Sequence, residues 1–67
     1  MDIRQRVGLN VRRIRRERGL SQEELAFECD LHRTYVSGVE RGVRNPTILV
    51  LQRIARALRA RIADLVS

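Results

Sequence analysis

Between Ser21 and Gly42 the run SQEELAFECDLHRTYVSGVERG carries two helical patterns of about two turns each, separated only by Asp30 and Leu31. A connection this short does not let two helices run side by side, so the pair must cross steeply. Three signals agree on where the first of them begins. Ser21 is an N-cap, Glu24 three residues later completes a capping box, and Leu20 and Leu25 hold the two positions of a hydrophobic staple. Glu23 and Glu24 lie in the first turn, where the helix dipole favours negative charge, and Leu25, Ala26 and Cys29 form the inward face. Asp30 tolerates a left-handed turn conformation. The second helix of the pair runs from about His32 to Glu40 with Val36 and Val39 inward, and Gly42 ends it.

Three further helices surround this pair. Ile3, Val7, Val11 and Ile14 recur at steps of four, four and three, the period of an amphipathic helix, and Gly19 stops it. After Gly42, VRNPT reads as a loop: Pro46 disfavours helix at Asn45, and Thr47 can cap the next helix. Ile48, Leu51, Ile54, Ala55 and Leu58 mark that fourth helix, Arg59 to Arg61 interrupt it weakly, and Ile62, Leu65 and Val66 suggest a short fifth. Linkers, repeats and low-complexity tracts are absent, so residues 1–67 are expected to form one all-α domain. Such a chain buries only about 60% of the surface its unfolded form exposes.

The charge is extreme for this size. Fourteen arginines and no lysine give a formal net charge of +6 and a sequence pI of about 11.4, which implies attraction to polyanions, nucleic acid first and an anionic membrane surface second. An ordinary solvated basic face would give the same balance. The apolar stripe of the first helix is narrow, aliphatic and needed for the core, so a membrane-binding helix is the poorer reading. No run approaches the roughly 18 apolar residues of a membrane span, and MDIRQRVGLN lacks the apolar segment of a signal peptide; a cytoplasmic protein is expected. Cys29 and His32 are three apart, but without a second cysteine or histidine a closed metal site lacks ligands, and Cys29 reads as a small buried apolar residue. The sequence holds no nucleophile with a base, no carboxylate pair in an apolar setting and no glycine-rich phosphate loop, so neither an enzyme nor a cofactor is expected.

The steep crossing is that of a helix-turn-helix, in which one helix lies across the DNA backbone and the N-terminal part of the next enters the major groove. The run LSQEELAFECDLHRTYVSGVERGVRNPTILVLQRIARAL resembles the phage-repressor and Cro type, the lambda-repressor-like DNA-binding domains, with SQEELA followed at the family's spacing by TYVS, VERG and RNPT. The resemblance spans Val7 to Leu65 and implies a five-helix bundle.

It also implies roles for particular residues. Arg33, Thr34, Ser37 and Gly38 fall where the family reads bases, and Arg33 can pair bidentately with a guanine. Gln22 resembles the glutamine that binds phosphate and touches the head of the recognition helix. Arg41, Arg44 and Asn45 resemble the phosphate-binding loop, with His32 near phosphate and Tyr35 half core, half phosphate contact. Arg15 and Glu40 align with a salt-bridged pair, which leaves Arg15 either positioned for phosphate or purely structural. Two positions depart from the family. Asp30 stands where glycine is common, and Gly38 replaces a long polar side chain and implies fewer direct base contacts per half-site.

The implied function is a sequence-specific transcriptional regulator on an inverted-repeat DNA site, resembling phage repressors and, through RTYVSGVERGVRNPT, the controller proteins of restriction-modification systems. Two-fold sites call for a dimer, expected here through the fifth helix with Leu49, Ile62, Leu65 and Val66. Because the sequence ends at Ser67, regulation is expected to come from concentration, operator arrangement or a partner protein. The alternatives are an antitoxin whose main partner is a toxin protein and, from a different class, a small RNA-binding or protein-interaction module.

Overall fold

The computed structural model describes residues 1–67 as five helices and no strand: α1 (Ile3–Glu17), α2 (Gln22–Cys29), α3 (Arg33–Glu40), α4 (Ile48–Ala57) and α5 (Ile62–Val66). All five expected helices are present. The starts of α1, α2 and α4 have a local cause. The Ser21 hydroxyl accepts from the Glu24 amide at 3.0 Å while the Glu24 carboxylate accepts from the Ser21 amide at 2.8 Å. Asp2 and Gln5 form a second reciprocal cap on α1, and Thr47 accepts from the Val50 amide at 3.2 Å to open α4. His32, expected as the first residue of α3, is its N-cap instead and makes no side-chain capping bond.

The first four helices end in one way. A residue with positive φ comes after each: Gly19 at 73°, Asp30 at 56°, Gly42 at 75° and Arg59 at 56°. Paired backbone bonds close each end, Leu20 to Arg15, Leu31 to Ala26, Val43 to Gly38 and Ala60 to Ala55 forming the longer members, which is the Schellman arrangement. Two of the four left-handed residues are not glycine, a placement that costs about 1–2 kcal/mol. At those two ends an arginine from elsewhere supplies donors. Arg53 donates to the Cys29 and Asp30 carbonyls at 2.6 Å each, and Arg18 donates to the Leu58 and Arg59 carbonyls at 2.9 and 3.1 Å. The weak interruption expected at Arg59 is thus a well-formed cap.

α1 packs on α3 and α5, α2 on α3 and α4, and α4 on α5, around a cluster that includes Val11, Leu25, Val36, Ile54, Leu58 and Leu65. Val7, Val11 and Ile14 keep the inward stripe expected of α1, but its fourth member, Ile3, is half exposed, and Ile48, expected on the inward face of α4, is largely exposed. Both stand in the first turn of their helix. Leu65 departs in the opposite sense. It is fully buried beneath α5 and unavailable to a second subunit. The Asn10 amide fixes this end by donating to the Leu65 and Ser67 carbonyls at 2.9 and 3.0 Å. No helix is long and apolar enough to cross a membrane.

The closest approach in the bundle is made through a glycine. A Cβ added at Gly8 would meet the Val39 carbonyl oxygen and lie 2.6 Å from that of Glu40, so α1 rests directly on the backbone of the last turn of α3. A glycine inside a strong helical pattern was the available signal for such an approach.

Candidate nucleic-acid interface

The position of α3 depends on its last residue. Glu40 is buried, and its two carboxylate oxygens accept from Arg15 Nε at 2.6 Å, from Arg15 Nη2 at 3.1 Å and from Gln22 Nε2 at 3.0 Å. The remaining Arg15 nitrogen, Nη1, donates to the Leu20 carbonyl at 2.8 Å. The Glu40 side chain is therefore joined to the last turn of α1 and to the first residue of α2, and Arg15 carries the link on to the turn after α1. A buried ion pair survives desolvation when its geometry is bidentate and its other donors are used, and no buried side-chain nitrogen or oxygen in the molecule lacks a partner.

These contacts correct two expectations. Arg15 is buried with a protein partner on each guanidinium nitrogen, so the bridge to Glu40 is present and the side chain is not turned outward as a free phosphate contact would be. Gln22 touches the end of α3 rather than its head, and it does so through Glu40. The sequence placed Gln22 on α2 but could not show which end of α3 its side chain reaches.

The outer face of α3 is set by the residues the core takes. Val36 and Val39 are buried, while Arg33 and Thr34 are exposed, Ser37 is partly exposed and Tyr35 is half-buried against the core. Arg33, Arg41 and Arg44 enter none of the five ion pairs of the chain, so their guanidinium groups keep their full charge for an external partner. His32 and Asn45 are exposed as well. Gly38 is the exception among the residues expected to face outward. It is covered, and the stem of Arg44 lies on it. The loop bearing Arg41, Arg44 and Asn45 is fixed at its start by Gly42, whose positive φ turns the chain away from α3.

Acidic and basic groups are segregated. Glu23, Glu24 and Glu28 share α2, whereas α3 and the loop after it carry Arg33, Arg41 and Arg44 and only one carboxylate, the neutralised Glu40. A polyanion is thus drawn to α3 and its loop rather than to α2.

The arrangement has counterparts among known proteins. The profile of the helix-turn-helix family matches residues 11–65. The control protein C.BamHI of Bacillus amyloliquefaciens is 49% identical over 65 residues, covering 96% of this chain and 80% of the relative. Control protein C.SmaI of Serratia marcescens is 43% identical, over 100% of this chain and 80% of its own length. The crystal structure of the restriction-modification controller protein C.AhdI from Aeromonas hydrophila superposes with a TM-score of 0.90 at 42% identity, covering 92% of this chain and 94% of that one. The profile match runs from the middle of α1 into α5 and takes in both crossing helices with most of the bundle that supports them, and on that basis the chain belongs to the helix-turn-helix family of DNA-binding transcriptional regulators.

Proposed function

We propose that this regulator binds an inverted-repeat DNA site as a homodimer, with α3 in the major groove, and that it acts as a controller of the kind its relatives' names describe. One observation carries the reading: after the core has taken Val36 and Val39, α3 presents Arg33, Thr34 and Ser37 with no internal ion pair. Arg33 is assigned to a guanine edge, Thr34 and Ser37 to neighbouring bases. Arg41 and Asn45, with His32 and the hydroxyl end of Tyr35, are assigned to phosphates, which set register and supply affinity without reading sequence. The chemistry is binding, with no turnover.

Exposed apolar side chains support the second subunit. Leu49 and Ile48 are each 73% exposed on α4, and Ile62 and Val66 are partly exposed on α5. We assign the contact to Leu49, Ile62 and Val66, and Leu65 supports it from within. Half-sites about 34 Å apart would match such a pair.

The test is a titration of the protein against the duplex upstream of its own gene and against a scrambled duplex, at about 150 mM salt. A preference of about a thousandfold or more is expected of a specific regulator. Near-equal, steeply salt-dependent binding to both would overturn sequence-specific regulation and leave electrostatic attachment alone.

A further inference from the structure

Arg44 is exposed, but its side chain does not run straight out from the loop. Its side chain folds back across α3: a Cβ added at Gly38 would lie 2.7 Å from Arg44 Cγ, 3.2 Å from Nε and 3.5 Å from Cδ. Its Cζ then stands 5.5 Å from the centroid of the Tyr35 ring. Positions 38 and 35 are neighbours on one helix face. The arginine therefore runs from the backbone at Gly38 toward the N-terminal half of α3, the part of a recognition helix that meets base edges.

We infer that Arg44 takes the place of the side chain missing at position 38 and is a specificity-determining residue of the DNA-binding surface. This rests on the reading of α3 as the recognition helix. Glycine inside a helix is unfavourable relative to alanine, and Gly38 has an ordinary helical φ, so its backbone conformation does not require glycine. What glycine supplies is room, and the stem of Arg44 fills it. A loop arginine that only neutralised phosphate would need no such seat. Held between a helix backbone and an aromatic ring, the guanidinium has few orientations to lose on binding, which favours a planar, bidentate contact with a base edge. Lysine could not reproduce it.

Gly38→Ala, Arg44→Ala and the double variant test the inference. Gly38→Ala keeps every charge and favours the helix, so it should melt no lower than wild type, and its added methyl should unseat Arg44. Each protein selects duplexes from a random-sequence pool and is then titrated against the duplex the wild type selects and a scrambled one. Both single variants are expected to lose about ten- to hundredfold in discrimination, at the same base position of each half-site. The double variant should be no worse than Arg44→Ala, because the methyl acts only through the arginine. Wild-type selection by Gly38→Ala would overturn the inference. So would an equal loss on all duplexes from Arg44→Ala, which marks a phosphate contact, or an added loss in the double variant, which marks a methyl that obstructs DNA by itself. A wild type that selects no sequence would instead remove the recognition-helix reading beneath it.

Discussion

Gly8→Ala is the most informative single change to the scaffold. The added methyl would stand 2.6 Å from the Glu40 carbonyl oxygen and 2.9 Å from its carbonyl carbon, and would also meet the Val39 carbonyl. Ordinary contact is about 3.5 Å, so α1 must retreat from α3 by roughly 1 Å. No flexible side chain can yield instead, since all three obstructing atoms belong to the backbone of a helical turn. Two effects then oppose one another. Alanine stabilises the helix interior by about 1 kcal/mol, while forced overpacking costs about 1–3 kcal/mol and the retreat opens a gap beside Val7 and Val11, both buried. The retreat also draws Arg15 away from Glu40, whose Nε to oxygen distance is 2.6 Å, and this tips the balance. The net loss is about 1–3 kcal/mol, from a total of about 3–10 kcal/mol for a chain of this length, which lowers Tm by about 5–20 °C. Circular dichroism melts of Gly8→Ala beside Gly38→Ala supply the comparison, because both variants gain the same helix propensity. If Gly8→Ala melts as high as Gly38→Ala, the backbones of α1 and α3 are not in contact there and the reasoning fails.

Three other perturbations act on the same contacts and caps. Glu40→Ala leaves Arg15 buried without its partner and should cost about 3–5 kcal/mol, whereas Arg15→Met with Glu40→Leu should recover most of the loss in urea denaturation; equal stability of the two variants would refute a buried bidentate pair. Arg33→Ala should weaken the selected duplex by about 1–3 kcal/mol and relax one base position; equal losses on selected and scrambled DNA would count against base reading. The Ser21 amide that donates to the Glu24 carboxylate, and after it the Ser21 hydroxyl, hold that group below its ordinary value of 4.5. A lowered folded pKa gives stability that is present above the unfolded value and lost as pH falls through the folded one. The Tm advantage of wild type over Glu24→Gln should therefore shrink below about pH 4.5, and a constant gap from neutral to strongly acidic pH would refute the contribution.

Much of this molecule is legible in its residues alone. Local signals fixed the helix starts at Ser21 and Thr47 and the stops at Gly19 and Gly42, because caps and left-handed turns depend on residues a few positions apart. Periodicity identified Val7, Val11, Ile14, Val36 and Val39 as core, and by subtraction left Arg33 and Thr34 outside. The motif spacing placed the chain among DNA-binding regulators, since two crossing helices and their loop are contiguous in sequence. Tertiary structure decided the rest. Whether Ile3, Ile48 or Leu65 is covered depends on which helix lies across it, and periodicity gives a face without giving its neighbour. Arg18 and Arg53 cap ends of helices 41 and 24 residues away, and charge patterning alone shows such arginines only as solvated cations. Gln22 meets the tail of α3, and Arg44 rests on Gly38, because side chains of distinct segments converge in space. The alphabet of single residues determined where this chain turns and what it buries; the path of long arginine side chains across the finished bundle determined which of its fourteen positive charges remain for DNA.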